Sequence, residues 1–266
     1  MQYSKPVTEI IKQRFSCRTY HKIPIRRETR TQLEDYLDAA TAGPFGTPTR
    51  FKLVAATEED NQALRGLGTY GLIRGATGFI LGAVRDGNHD LEDFGYVMEQ
   101  AILFATSLEL GTCWLGGTFT RSSFADKMAL TDVERMPTVT STGYISEKPG
   151  LVDRLIRRGA GSRGRRPWER LFFQNQFDAP LSRQAANTYG DALEMVRLGP
   201  SASNRQPWRI VKDGGNWHFY LRRMPGYHQG TSRWGSGADL QRVDMGIAMC
   251  HFEATVAELG LAGQWV

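Results

Sequence analysis

The stretch DFGYVM at residues 93–98 is repeated as DMGIAM at residues 244–249, at an offset of 151 residues. Without a gap the similarity extends as far as Trp114 and Trp265, with six of 22 positions identical. Apolar residues in both segments recur every three or four positions, which is the spacing of one buried helix face. Gly95 and Gly246 are equivalent, and two such helices could approach each other closely there. The repeat therefore predicts two related helices.

A second pair of related segments lies upstream, at an offset of 156 residues. Each reads as a helix that ends at Gly-Pro, at residues 43–44 and 199–200, because glycine caps a helix and proline cannot continue it. A β-rich run follows each, over residues 51–56 and 208–212. Two matches in the same order favour an internal duplication over chance similarity between α/β segments.

The remaining patterns indicate a mixed architecture. We expect helices at residues 7–14 and 27–42, strands at 78–84 and 138–145, and a hairpin strand at 216–221. Residues 151–182 show no strong periodicity, so we interpret them as a crossover. The fold class predicted is α+β, with two related α/β halves that form a pseudo-dimer in one chain: residues 1–150, the crossover 151–182, and residues 183–266.

Composition narrows the class of protein. Of the 266 residues, 41% are hydrophobic and 23% are charged, as in ordinary globular proteins. No stretch approaches the ~20 apolar residues that a membrane span needs, and the N-terminus lacks the apolar segment of a secretory signal. Cys17, Cys113 and Cys250 lie far apart without a CxxC pair, which favours buried thiols in a reducing compartment. We therefore expect a cytoplasmic protein with no membrane contact.

The positive charge is local. The net charge is +5 and the pI about 9.2, and the excess is concentrated in the glycine-spaced loop at residues 154–166. Such a loop could contact polyanions, one phosphate or only water. Aromatic residues are not interleaved with these arginines as they are in a surface that stacks bases. We expect no nucleic-acid partner, and a basic nucleic-acid-binding protein is the least favoured alternative.

Two motifs carry possible chemistry. In RFSCR at residues 14–18, the forked guanidinium groups of Arg14 and Arg18 and the hydroxyl of Ser16 suit an anion with several oxygens. If the segment is extended, these side chains project to the same side. Alone, this pattern is a weak indication and more often marks a solvated surface.

The second motif is GPSASNRQPW at residues 199–208, which Pro200 and Pro207 stiffen at both ends. The side-chain amides of Asn204 and Gln206 offer donors and acceptors that suit the edge of a planar ring. A polar turn is the alternative interpretation, although a turn needs only one or two such residues.

Together these motifs resemble the FMN-contact motifs of the nitroreductase family. LGTCWLGG at residues 110–117 looks like the segment after that family's central helix, and residues 137–149 are similar to its following strand and turn. The resemblance covers nearly the whole chain. It implies an oxidoreductase that uses FMN and reduces nitro- or quinone-type small molecules with NADH or NADPH. A flavin-binding protein without turnover, such as a sensor or store, is the alternative.

The resemblance also implies which residues bind the cofactor. It implies that the phosphate is bound by Arg14, Ser16 and Arg18, with help from Arg165 or Arg166. It implies that the ring or ribityl chain is contacted by Ser201, Asn204 and Gln206, in a loop that Pro200 shapes. It also implies that Gly116 and Gly117 lie close to the ring.

The two motifs are split between the halves. Ordinary family members carry both in one protomer and form the site across a homodimer. Here GPFGTP at residues 43–48 stands where the Ser/Asn/Gln loop is expected, and the second half has no RxSxR. This pattern resembles the single-chain nitroreductases of the Thermotoga kind. Since a flavin needs both sets of contacts, we predict one FMN between the halves of a monomeric pseudo-dimer.

No other residue pattern suggests catalysis or metal binding. The five histidines are scattered without metal-ligand spacing: His21, His89, His218, His228 and His251. We expect surface or structural roles for them, with His251 as a satisfied core histidine on the second repeat helix. Hydride transfer through a flavin requires no side-chain nucleophile, so no catalytic side chain and no metal are predicted.

Overall fold

The computed structural model describes residues 3–60, 62–147, 164–224 and 238–266. Within these residues the helices are α1 Val7–Gln13, α2 Arg27–Ala39, α3 Asp90–Ser107, α4 Arg121–Met128, α5 Arg183–Ala186, α6 Gly190–Leu198 and α7 Leu240–Glu258. The strands are β1 Thr49–Ala55, β2 Gly78–Arg85, β3 Leu110–Leu115, β4 Glu134–Arg135, β5 Val139–Tyr144, β6 Phe172–Gln174, β7 Trp208–Asp213 and β8 Asn216–Leu221. The predicted α+β class is confirmed.

The strands form two sheets, one from the first half and one that joins β6 of the segment 151–182 to β7 and β8 of the second half. In the first, the order is β1-β2-β5-β3, with β4 also paired to β2, and the pairs are antiparallel. In the second, the order is β6-β7-β8, with β6 parallel to β7 and β7 antiparallel to β8. Helix, hairpin and long helix follow one another in both halves, as α2-β1-β2-α3 and α6-β7-β8-α7.

The long helices α3 and α7 cross at their glycines. A Cβ atom on Gly95 would lie 2.2 Å from the carbonyl oxygen of Val243, and one on Gly246 would lie 2.0 Å from that of Glu92. Each carbonyl belongs to the residue three positions before the other helix's glycine, so the contact is reciprocal. The predicted close approach at Gly95 and Gly246 is confirmed.

The aspartates that begin the repeats also have matching contacts. Asp93 of α3 accepts hydrogen bonds from the backbone N–H groups of Phe45 (2.9 Å) and Thr47 (2.8 Å). Asp244 of α7 accepts one from Ala202 (2.9 Å). Each carboxylate therefore binds the loop that follows the Gly-Pro pair of its own half.

The structure corrects one predicted boundary. Helix α6 ends at Leu198, directly before Gly199, but α2 ends at Ala39, four residues before Gly43. Ala40 leaves the helical region with φ −87° and ψ 80°, and Ala42 forms a β-bridge with Pro48. Backbone pairing at the start of β1 therefore competes with the last turn of the helix, and the prediction to residue 42 was wrong.

The apolar core joins the two halves. One cluster of buried side chains packs α1, α2, β1 and α3 together with Met195, Val243, Met249 and Cys250 from the second half. Two further clusters lie between α6, α7 and the second sheet, and between α4 and the other face of the first sheet. All three cysteines are buried thiols that form no disulfide, as expected.

Candidate functional site

The RFSCR segment lies along the edge of the first sheet. Helix α1 ends at Gln13, and Arg14 has the extended conformation φ −61°, ψ 129°. Ser16 forms a parallel bridge with Thr112 of β3, and the Cys17 N–H donates to the Thr112 carbonyl at 2.8 Å. Because β3 continues into Gly116 and Gly117, the backbone brings the two first-half motifs side by side.

The side chain of Arg14 enters the interior. It is 5% exposed, and its Nε lies 4.0 Å from Oε1 of Glu99, a carboxylate with no solvent exposure. Among the residues that the structure describes, Nη1 of Arg14 is buried and has no hydrogen-bond partner. One edge of this guanidinium therefore faces an acid, and the other keeps an unused donor.

The polar loop of the second half has an unusual backbone. Ser203, Asn204 and Gln206 have positive φ values of 47°, 56° and 49°, a region that non-glycine residues rarely adopt. The Ser201 hydroxyl accepts from the Gln206 N–H at 2.9 Å, and Asp244 holds the Ala202 N–H. Such strain persists only where surrounding contacts impose it, and it is typical of functional loops.

Residues 164–166 bind this loop directly. The guanidinium of Arg165 donates to Oδ1 of Asn204 at 2.8 Å and to the Leu198 carbonyl at 2.9 Å. The N–H of Arg166 donates to Oε1 of Gln206 at 2.8 Å, and Nδ2 of Asn204 donates to the Gly164 carbonyl at 2.7 Å. Both amides thus make hydrogen bonds within the chain, and Nδ2 of Asn204 has a second N–H besides the one that it donates to Gly164.

Arg165 also connects the loop to the first half. Burial lowers the pKa of Arg165 to about 10, and the positive charges of Arg14 and Arg197 lower it further in the same direction. Arg197 is paired with Glu194 at 2.5 Å. The positive charge of Arg14 in the first motif therefore acts on Arg165 beside the second motif.

Arg166 belongs to a different group of cations. Burial lowers the pKa of Arg209 to about 10, with further contributions from Arg166 and Arg222. Arg209 is 3% exposed and donates to the Gln206 carbonyl at 3.0 Å. Of the two arginines that the sequence offered for the phosphate, Arg165 is the one beside Arg14.

The glycines after β3 meet the second half. A Cβ on Gly116 would lie 2.7 Å from Cδ1 of Leu240, the first residue of α7. Gly116 and Gly117 are half-buried. A side chain at Gly116 would therefore displace the side chain of Leu240.

Several residues at this junction were not predicted as site residues. These are Glu99, Trp114 and Asp244. A single carboxylate or tryptophan on an apolar segment does not by itself indicate a binding site. The Trp114 indole donates to Oε2 of Glu99 at 2.7 Å. Burial raises the pKa of Asp244 well above its usual value, and the charge of Asp239 adds to this effect. The available signals were the repetition of Asp93 in Asp244 and of Trp114 in Trp265.

The histidines match their predicted roles within the described part of the chain. His251 is fully buried and lies 2.8 Å from the Met195 carbonyl and 2.9 Å from Oε1 of Glu99, as a satisfied core histidine. His21, His89 and His218 are exposed. His228 and most of the arginine-rich loop, residues 154–163, lie outside the described residues.

The described residues contain neither a group of metal ligands nor a helix that could cross a membrane. In residues 3–60, 62–147, 164–224 and 238–266, no three His, Cys, Asp or Glu side chains are grouped so that they could hold a metal ion. No helix in these ranges combines the length and apolar character that crossing a membrane requires.

The sequence matches a known family model over most of its length. The model described as "Putative TM nitroreductase" matches residues 6–256. No protein of curated function matches the sequence.

Several solved structures are similar to this chain. A "putative nitroreductase" from Thermotoga maritima is 20% identical with a TM-score of 0.59, over 97% of this chain and 87% of that one. A nitroreductase family protein from Clostridium difficile is 22% identical, over 58% of this chain and 90% of its own, with a TM-score of 0.43. A nitroreductase with bound FMN from Bacteroides fragilis is 21% identical, over 56% of this chain and 92% of its own, also with a TM-score of 0.43.

Proposed function

Since the chain belongs to the "Putative TM nitroreductase" family, we propose that it is an FMN-dependent oxidoreductase. It would bind one FMN between its first half, residues 1–150, and its second half, residues 183–266. Its acceptors would be nitro- or quinone-type small molecules, and its donor NADH or NADPH.

The observation that carries this proposal is the buried guanidinium of Arg14, whose Nη1 has no partner among the described residues. A buried, permanently charged group with an unused donor is costly unless an anion completes it. Arg165, which lies in the segment 151–182 and donates to Asn204 of the polar loop, is a second cation, and the charge of Arg14 acts on it. The pair fits a phosphate group, which accepts charge-assisted hydrogen bonds from both. Ser16 and Arg18 lie on the same segment as further donors.

The opposite side of the site would hold the flavin ring. The loop of Pro200, Ser201, Asn204 and Gln206 presents hydroxyl and amide groups in a strained, preorganised backbone. Gly116 and Gly117 would let the backbone approach the ring without side chains. When bound, the flavin supplies the hydride chemistry, while the chain supplies position and charge.

The equivalent loop of the first half differs from this one. At the equivalent loop, residues 43–48, both oxygens of Asp93 are occupied by the Phe45 and Thr47 N–H groups, and Phe45 packs on His89 with ring centroids 4.3 Å apart. The loop also lacks the Ser, Asn and Gln residues of its counterpart. This asymmetry supports one flavin per chain.

The test is the visible spectrum of the purified protein, followed by release and quantification of the flavin. We expect about one FMN per chain, and oxidation of NADH or NADPH that depends on an added quinone. Two flavins per chain would contradict the single composite site. A protein that stays colourless after soaking with FMN would contradict the cofactor, and bound flavin without turnover would contradict the enzymatic activity.

A further inference from the structure

A buried acid–base contact joins the two long helices. Glu99 on α3 and His251 on α7 have no solvent exposure, and their Oε1 and Nε2 atoms are 2.9 Å apart. Burying ionisable groups is costly unless they are paired and hydrogen-bonded. Here Glu99 also accepts from the Trp114 indole at 2.7 Å, and His251 lies 2.8 Å from the Met195 carbonyl. Four elements of both halves thus meet at this contact.

The hydrogen bonds fix how many protons the pair holds. The Met195 carbonyl only accepts, so Nδ1 of His251 carries a proton. The contact between Nε2 and Glu99 then needs one more proton, which lies either on the ring or on the carboxyl group. In both cases Glu99 and His251 together have zero net charge.

This proton count leaves the charge of Arg14 uncompensated. Among the described residues, Glu99 is the one acidic group within 4.0 Å of Arg14. Because His251 offsets the charge of Glu99, the group of three keeps one positive charge inside the protein. A buried charge without a counter-ion is costly. The arrangement therefore favours the binding of an anion beside Arg14.

We infer that Glu99 and His251 are positioning residues that hold Arg14 for the phosphate of the flavin. Oε1 of Glu99 faces Nε of the guanidinium, so that Nη1 is presented on the far edge. The Trp114 indole fixes the other carboxylate oxygen, and Trp114 lies on β3 two residues before Gly116. The inference rests on the proposed function, because it assumes that the anion is the phosphate of FMN.

The test compares two ligands that differ only in this phosphate. Dissociation constants of FMN and of riboflavin are measured by flavin fluorescence for the wild type and for Glu99→Gln. Loss of a residue that orients a metal ligand commonly weakens metal binding 10- to 100-fold, and Glu99 would orient Arg14 in a comparable way. We expect about a tenfold loss of FMN affinity in Glu99→Gln and less than about a twofold change for riboflavin.

The matched control is Glu253→Gln. Glu253 lies on α7, accepts from the Trp265 indole at 2.5 Å and from the Tyr96 hydroxyl at 2.9 Å. Trp265 is the repeat counterpart of Trp114, so this control removes a similar tryptophan–glutamate contact that does not involve Arg14. The ratio of FMN to riboflavin affinity should stay at the wild-type value.

Trp114→Phe provides a second variant in case Glu99→Gln does not fold. It removes one hydrogen bond to Glu99 without a change in charge, and should lower FMN affinity more than riboflavin affinity. Equal losses for both ligands, or none for FMN, would overturn the positioning role. A wild type that binds neither flavin, or both equally well, would instead overturn the proposed function or its phosphate site.

Discussion

Three non-glycine residues of one loop, Ser203, Asn204 and Gln206, adopt left-handed backbone angles. Such conformations cost about 1–3 kcal/mol each, and persist only where neighbouring contacts impose them. The contacts here are the hydroxyl of Ser201 within the loop and the carboxyl group of Asp244 beneath it. The shape of the proposed ring-binding loop therefore depends on a buried acid that is remote in sequence.

The buried state of Asp244 predicts a specific effect of pH on stability. Burial raises its pKa in the folded protein, while the unfolded chain keeps the ordinary value of 3.8. An acid of this kind contributes stability fully below the unfolded pKa, and this contribution is lost as the pH rises toward the folded pKa. Asp244→Asn cannot ionise, so its unfolding free energy should improve relative to wild type between pH 4 and pH 7.

Urea unfolding of both proteins at pH 4, 5.5 and 7 measures this difference. If the difference between Asp244→Asn and wild type were constant over the three pH values, Asp244 would not be protonated in the folded protein at neutral pH.

At the scale of elements, the two central helices were predictable and parts of the sheets were not. The period of apolar residues and the repeated glycines indicate α3 and α7 and their close contact. Strand β3 is buried on both sides, so it lacks the alternation that marks a half-exposed strand. Strand β6, with three residues, is too short for any periodicity.

The candidate site was predictable in composition but not in its internal contacts. RFSCR and the 199–208 loop are local motifs, so the sequence alone indicates them. The partners Glu99 and His251 are 152 residues apart, and only the crossing of α3 and α7 brings them together. The placement of Arg165 beside Arg14, rather than Arg166, likewise depends on tertiary structure.

The helix crossing gives a prediction about stability. Gly95→Ala would place a methyl group 2.2 Å from a backbone carbonyl oxygen of the other helix, and Gly246→Ala would place one at 2.0 Å. The two helices would therefore have to separate. Overpacking of a well-packed contact typically costs about 1–3 kcal/mol, and a clash with backbone atoms belongs at the upper end, about 3 kcal/mol. We expect a loss of this size in the free energy of unfolding, measured with urea.

Gly190→Ala is the control for this prediction. Gly190 begins α6, and an added Cβ would meet nothing within 4 Å. Because alanine restricts the unfolded chain, this variant should gain about 0.5 kcal/mol. Similar effects at Gly95 and Gly190 would show that α3 and α7 are not as close as described.

At the scale of the whole molecule, the two halves complete each other. The largest apolar cluster draws side chains from both, and so does the proposed cofactor site. The halves are nevertheless unequal, because the phosphate motif lies in the first and the polar loop in the second.

This division predicts which loop retains the flavin. Ser201→Ala combined with Asn204→Ala removes two hydrogen-bonding side chains, worth about 1 kcal/mol each, and should weaken FMN binding roughly thirtyfold. Thr47→Ala changes the corresponding loop of the first half and leaves its backbone N–H on Asp93. It should leave the FMN affinity unchanged, as measured by fluorescence titration. Comparable losses of FMN affinity in the two variants would mean that the ring-binding loop has been placed in the wrong half.

Fusion of the two copies also removes a restriction that symmetry places on homodimers. Across an exact twofold axis every contact occurs twice, because both subunits carry the same side chains. At the repeat offset of 151 residues, Glu99 corresponds to Cys250, and His251 corresponds to Gln100. The acid Glu99 and the base His251 therefore form one contact, while the symmetry-related positions hold the thiol of Cys250 and the amide of Gln100. A single gene thus encodes a polarised interface that would otherwise require two different subunits.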